Sequence, residues 1–212
     1  MDLPITILMG GALGEGVRLV SRRLIARRIG QLMERPGANG QWSPLQWVLA
    51  GALGCGAIMF WCGDPAKGIE TAMIFLVLVS ISVVDDSIRK IPNELLLMLL
   101  ILKLGAVATS GSLETLLPAL AGMVVGTVVF IIPSRLGIYI GWGDIKMAAA
   151  AGFCLGVVGL LEAVLVMAAI IALYSLFLIT TKRGGIKTKV AIGPPLSLGM
   201  MVSLLLPISI AI

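Results

Sequence analysis

The sequence predicts an all-α, polytopic membrane protein with about eight transmembrane helices, and three observations support this fold class. Hydrophobic residues make up 58% of the 212-residue chain and charged residues only 13%, whereas a soluble domain is roughly 45–50% apolar and about a quarter charged. The mean hydropathy is +1.07. The apolar residues also fall into runs of about 17–25 residues, which is the length of a helix that crosses a bilayer. We expect residues 1–212 to form a single membrane domain.

Eight apolar runs follow one another along the chain, separated by charges or by turn residues. The first run is the poorest candidate, because Glu15 and Arg18 interrupt it. A short basic loop at about residues 21–43 follows it, and Glu162 indicates a tight turn between the sixth and seventh runs. The expected spans are residues 3–20, 44–61, 68–84, 94–109, 113–132, 145–160, 163–180 and 192–212.

The distribution of positive charges predicts the orientation of these helices. Lys and Arg concentrate in alternate loops, and the opposite loops contain only Lys67. Because cytoplasmic loops carry the excess of Lys and Arg, both chain termini are expected outside. Asp85 and Asp144 then lie at helix ends on the same, cytoplasmic side. This topology also accounts for the net charge of +5, so we expect lipid rather than nucleic acid as the surrounding partner.

The sequence excludes several kinds of catalytic site. It contains no histidine, which removes Ser-His and Cys-His pairs, His-ligated zinc and the HExxH metalloprotease motif. The three cysteines, Cys55, Cys62 and Cys154, form no CxxC pair and are expected to be small buried side chains. We therefore expect no metal and no cofactor, and any catalysis must come from carboxylates or lysines.

Two acidic positions stand at helix ends, and each has a purely structural interpretation. Asp144 opens the sixth span, where an N-cap aspartate would accept backbone N–H groups and meet the positive end of the helix. Asp85 and Asp86 lie at the C-terminal end of the third span, where the helix dipole disfavours anions. In the structural interpretation, the positive charges of the nearby Arg89 and Lys90 compensate the negative charges of Asp85 and Asp86.

A catalytic interpretation joins the two positions. Two carboxylates that share a site keep one proton between them, so that one activates a water molecule while the other polarises a scissile carbonyl. Gly141 and Gly143 precede Asp144 and carry no side chain, which lets an extended substrate backbone approach closely. Lys146 either positions substrate or anchors the cytoplasmic end of its helix.

The pattern Gly141-x-Gly143-Asp144-x-Lys146 resembles the GxGDxK signature of the bacterial type IV prepilin peptidases, a family of intramembrane aspartic proteases. This motif by itself is weak evidence. A second signature precedes it in the chain and makes the resemblance specific.

Asp85 stands seven residues before Pro92, in the triplet Ile91-Pro92-Asn93, and this spacing is similar to the family's other signature. The spacing selects Asp85 over Asp86. Adjacent residues on a helix point about 100° apart, so the two acids are not interchangeable.

Weaker matches extend the resemblance in order over most of the chain. They lie at Gly10-x(3)-Gly14, at Pro44-Leu45 and at residues 192–195. Near the first of these, Glu15 and Arg18 replace polar residues of the family pattern.

The resemblance implies an aspartic endopeptidase that removes the basic leader from type IV prepilins or pseudopilins. It implies cleavage after a glycine, at the cytoplasmic face of the bacterial inner membrane. Asp85 and Asp144 would be the catalytic pair. The residues implied in substrate binding are Gly141, Gly143, Lys146, Pro92 and Asn93.

The chain departs from many family members in one respect. They carry a tetracysteine zinc module between the first two helices, whereas residues 21–43 contain no cysteine. The resemblance therefore implies no zinc here, and N-methylation of the mature pilin stays open.

Two alternative functions remain at this stage. A small transporter coupled to cations or protons would also place two acids at helix ends, and Asp85 and Asp144 would then serve flux rather than peptide cleavage. The other alternative is an inactive pilus-assembly factor that keeps the fold.

Overall fold

The computed structural model describes residues 3–29, 43–62, 64–110, 113–137, 140–181 and 192–206. These residues form seven α-helices and no strand, which confirms the predicted all-α class. The helices are α1 (Leu3–Ile29), α2 (Pro44–Cys62), α3 (Pro65–Ile88), α4 (Asn93–Ser110), α5 (Leu113–Arg135), α6 (Trp142–Thr180) and α7 (Gly193–Leu205).

Several of these helices have the length and composition of membrane spans. Within the described part of the chain, α2, α3, α5 (from Glu114) and α6 are long and apolar enough to cross a bilayer, and α7 is a shorter apolar helix. The length and apolar composition of these helices indicate an integral membrane protein. The expected number of about eight spans is not confirmed.

Two expected boundaries were wrong. Helix α1 continues to Ile29, so the first part of the basic stretch expected as a loop is helical. Helix α6 runs for 39 residues through Glu162, where a turn was expected. The backbone of α6 instead leaves the helical conformation at Gly156, with φ 71° and ψ −174°.

The helices cluster into two compact units, Met1–Leu117 and Pro118–Ile212. The single domain expected over residues 1–212 stays a prediction.

In the first unit, α3 is the most buried helix. Ile74, Leu78, Ile81 and Val84 are at most 1% exposed, and the residues between them are also largely buried. An apolar helix that is buried nearly all round forms the centre of its unit. The last turn of this central helix carries Asp85.

Helices α1 and α2 cross in the first unit with their backbones in contact. A Cβ atom on Gly51 would meet the carbonyl oxygen of Gly10 and would lie 3.0 Å from the Cα atom of Gly14. Small residues permit this close approach, which is a common basis of helix packing in membranes.

We predict that Gly51→Ala lowers the stability of the protein by about 1–3 kcal/mol, because the added methyl group forces the two backbones apart. Gly16→Ala is the matched control, since a Cβ atom there meets nothing within 4 Å. Thermal unfolding in detergent should show a lower melting temperature for Gly51→Ala only. Equal melting temperatures for the two variants would contradict this packing.

Two ion pairs lie in the first unit, and each involves a cation inside an apolar run. Lys103 lies in α4. Its ammonium group lies 3.0 Å from the carboxylate of Glu70 on α3. On α1, the guanidinium Nε of Arg18 donates to the Glu15 carboxylate at 2.8 Å. Arg18 and Lys103 are thus paired, as the cost of a lone charge in lipid requires.

Candidate active site

Asp85 lies in the last turn of α3, in the first unit. Asp85 is buried, with 6% of its surface exposed, whereas the adjacent Asp86 is exposed. The carbonyl of Asp85 accepts the backbone N–H of Arg89 at 2.7 Å, which closes the helix. The two neighbouring acids therefore have different environments, as their angular separation on the helix requires.

The chain turns sharply just after Asp85. Arg89 adopts the left-handed conformation (φ 49°, ψ 39°) as the C-cap of α3, which is uncommon for a residue other than glycine. Pro92 is buried and Asn93 begins α4 as an exposed residue. The Pro-Asn pair thus lies in the connection that joins the end of α3 to the start of α4.

Asp144 lies in the first turn of α6, in the second unit, and it is half-buried. The N-cap residue is Gly141, so the expected N-cap position of Asp144 was wrong. The Gly141 carbonyl accepts the N–H groups of Asp144 at 3.0 Å and Ile145 at 3.2 Å. In return, the Gly141 N–H donates to the Asp144 carboxylate. Asp144, the third helical residue, thus reaches back to the N-cap as in one half of a capping box, and Gly141 has no side chain to supply the other half.

Gly141 leaves room for the Asp144 carboxylate. A Cβ atom on Gly141 would lie 3.1 Å from Oδ2 of Asp144, closer than ordinary van der Waals contact. The backbone of Gly141 (φ −68°, ψ 143°) is one that any residue adopts. Glycine is therefore needed here because a side chain would crowd the Asp144 carboxylate.

The other residues expected near Asp144 lie around the start of α6. Gly143 is half-buried and Lys146 is exposed. Trp142 is also exposed, at 70%. Ile145 and Met147 are buried, at 5% and 0% exposure, and they fix this end of α6 within its unit.

Each unit thus holds one of the two acids together with the residues expected around it. The first unit contains Asp85, Pro92 and Asn93, and the second contains Gly141, Gly143, Asp144 and Lys146. The pairing of Asp85 with Asp144 stays a prediction.

No group of three or more His, Cys, Asp or Glu side chains that could hold a metal ion occurs in the described ranges. Cys55 and Cys154 are buried free thiols, as expected for small apolar side chains, and Cys62 is half-buried.

The sequence interpretation missed the environment of Glu162. This residue is 8% exposed and accepts a hydrogen bond from the Ser203 hydroxyl of α7 at 3.0 Å. The signal was present in the sequence as an acid between two apolar runs. An acid inside a membrane helix is expected to have a buried polar partner.

Comparison with known protein families gives a match. The sequence model of the type IV leader peptidase family matches residues 72–176, a range that contains both acidic signatures. The resemblance drawn from the two motifs is thereby confirmed, and the match indicates a peptidase. No curated protein and no solved structure matches the chain.

Proposed function

We propose that this protein, which matches the type IV leader peptidase family over residues 72–176, is an aspartic endopeptidase that cleaves the basic leader from prepilins or pseudopilins. Cleavage would follow a glycine, at the cytoplasmic face of a bacterial inner membrane. One observation carries the proposal. The matched range contains the acid–Pro-Asn signature and the GxGDxK signature in the family's order.

We propose Asp85 and Asp144 as the catalytic pair. The ionised acid accepts a proton from water, and the water oxygen attacks the carbonyl carbon of the glycine. The protonated acid donates to the carbonyl oxygen as the tetrahedral intermediate forms. When the intermediate collapses, the C–N bond breaks, the acid that took the proton from water gives it to the leaving amine, and the other acid takes back the proton from the former carbonyl oxygen. These steps need carboxylates only, in agreement with a chain that lacks histidine.

The local geometry supports distinct roles for the neighbouring residues. The Gly141 N–H holds the Asp144 carboxylate in one orientation, and an oriented group loses little entropy in the reaction. The Gly141–Lys146 turn, in which Trp142 and Lys146 are exposed, would receive the substrate backbone. Pro92 and Asn93 would fix the connection that follows Asp85. We do not extend the proposal to N-methylation, because residues 21–43 lack the cysteines of the zinc module.

The experiment that tests this function is co-expression of the full chain with candidate prepilins in a bacterium that has no leader peptidase of its own. Mass spectrometry of the pilin should show loss of the basic leader, with the new N-terminus directly after the glycine. A prepilin whose glycine is replaced by a bulky residue should stay intact. Unprocessed wild-type prepilins in the presence of the protein would contradict the proposal.

We predict that Gly141→Ala lowers the rate of leader cleavage by about tenfold or more, because the added methyl group displaces the Asp144 carboxylate and misplaced catalytic groups lose rate steeply. Initial cleavage rates in membranes would measure the effect. Gly105→Ala is the matched control, since a Cβ atom there meets nothing within 4 Å, and it should cleave at the wild-type rate. Equal rates for the two variants would show that Gly141 does not position the acid.

A further inference from the structure

Helix α6 is broken inside its length at Gly156. The backbone there has φ 71° and ψ −174°, a region that is essentially restricted to glycine. Space does not explain this glycine. A Cβ atom on Gly156 would lie 3.7 Å from the carbonyl oxygen of Pro118, which is an ordinary contact. The backbone conformation itself therefore requires glycine.

The part of α6 before the break, residues 142–155, packs against α5 through backbone contacts. A Cβ atom on Gly126 would collide with the carbonyl of Ala148, and one on Gly122 would collide with the carbonyl of Gly152. Ala148 and Gly152 lie one helical turn apart, so the contact continues along one face. We call α5 from Pro118 onwards together with residues 142–155 the front body.

The part of α6 after the break, residues 157–180, packs against α7. The Ser203 hydroxyl lies 3.0 Å from the carbonyl of Gly159 and 3.0 Å from the Glu162 carboxylate. A Cβ atom on Gly199 would collide with the carbonyl of Ala163. Hydrogen bonds and backbone contact thus join residues 157–180 to α7, and we call these two segments the rear body.

Side-chain contacts join the two bodies across the break. A Cβ atom on Gly159 would lie 2.9 Å from the Cβ atom of Leu155. The Leu160 side chain would lie 3.2 Å from a Cβ atom on Gly126, and Leu160 is fully buried. Helices that pack through side chains can slide past one another by small amounts. The break at Gly156 therefore separates a body joined to α5 through backbone contacts from a body joined to α7 through hydrogen bonds and backbone contact.

We propose that Gly156 is a hinge between the front and rear bodies and that it positions Asp144. The acid lies twelve residues before the hinge, on the front body. At 1.5 Å per residue this is a lever of about 18 Å, so a bend of about 10° displaces the acid by about 3 Å. A misplacement of about 1 Å already costs about 10²-fold in rate. The effect on cleavage rests on the proposed peptidase function; the hinge itself does not.

Distances between spin labels test the hinge without reference to any activity. The full chain, with its three cysteines replaced by alanine, would be labelled in lipid at Val124 of α5 and Leu198 of α7, which are 58% and 47% exposed. The matched control pair is Leu165 and Leu198, both in the rear body, and Leu165 is 70% exposed.

We expect a broad or double distance distribution for Val124 with Leu198, and a narrow one for the control pair. Gly156→Ala should narrow or shift the first distribution and leave the second unchanged. Equally narrow distributions for the two pairs in the protein with Gly156 would overturn the hinge. This comparison is decisive even where the Gly156→Ala protein does not accumulate.

The cleavage assay provides a second test, which concerns the role of Gly156 in positioning Asp144. Gly156→Ala should lower kcat by about tenfold or more, since bending of α6 then costs strain, and Gly105→Ala should leave kcat unchanged. Wild-type cleavage rates in Gly156→Ala would overturn its positioning role. If the wild-type protein cleaves no prepilin, the peptidase proposal fails while the distance distributions still decide the hinge.

Discussion

Asp144→Asn is expected to lower leader cleavage by about 10²–10⁴-fold, the contribution of a general acid or base to a reaction rate. The substitution is nearly isosteric. The Asn side-chain oxygen can still accept the Gly141 N–H that holds the carboxylate in the wild type, so the start of α6 should keep its shape. What is lost is the ability to take up and release a proton. Initial rates with a purified prepilin would measure the loss.

Asp64→Asn is the matched control for this variant. Asp64 is the N-cap of α3, and its side chain accepts the N–H of Ala66 at 3.0 Å. It therefore represents an aspartate that serves a helix start alone, and its Asn variant should cleave at the wild-type rate because Asn is an equally good N-cap. If Asp144→Asn also cleaves normally, Asp144 has only the structural role at its helix start.

Asp85→Asn is expected to cause a loss of similar size, about 10²–10⁴-fold, since both members of a carboxylate pair are needed. Asp86→Asn is its matched control on the next residue of the same helix. Asp85 is 6% exposed and Asp86 is exposed, and their side chains point about 100° apart. We therefore expect Asp86→Asn to retain most of the cleavage rate, measured in the same assay.

The opposite pattern would contradict the alignment of the first signature. If Asp86 proves essential and Asp85 dispensable, the spacing to Pro92 was assigned one residue out of register. If Asp85→Asn and Asp86→Asn both lose cleavage while keeping a normal melting temperature, the cleavage rate depends on the pair of like charges at the helix end rather than on a single catalytic acid.

The fold class and several helix bounds could be predicted because a bilayer imposes its thickness on the sequence. The run expected at residues 44–61 is helix Pro44–Cys62, and the run expected at 94–109 is helix Asn93–Ser110. The end of helix α1 was harder to predict from the sequence. A helix can extend beyond the hydrocarbon region and carry arginines there, so the apolar run ended before the helix did at Ile29.

The break in α6 could not be predicted, because apolar residues surround Gly156 on both sides and hydropathy does not report backbone conformation. Glu162 was misinterpreted for a related reason. Its hydrogen-bond partner, Ser203, lies 41 residues away in the sequence. Without that partner, an acid between apolar runs is most simply assigned to a turn in water.

The candidate site was predictable in its local parts. The motif spacings placed Asp85 at a helix end and Asp144 at a helix start, and both positions agree with the structure. The role of Gly141 was only partly foreseen. The sequence suggested space for a substrate backbone, whereas the structure adds space for the Asp144 carboxylate and an N–H that donates to it. Such a contact depends on side-chain geometry that spacing alone does not contain.

The most direct test of the central claim uses the purified full chain in lipid vesicles with a synthetic prepilin peptide that contains a basic leader, a glycine and an apolar helix. Mass spectrometry should show one cut, directly after the glycine, and the products should be absent with Asp85→Asn or Asp144→Asn. An intact peptide with the wild-type protein, together with cation or proton flux into the vesicles that the same two variants abolish, would contradict the peptidase function and favour a transporter.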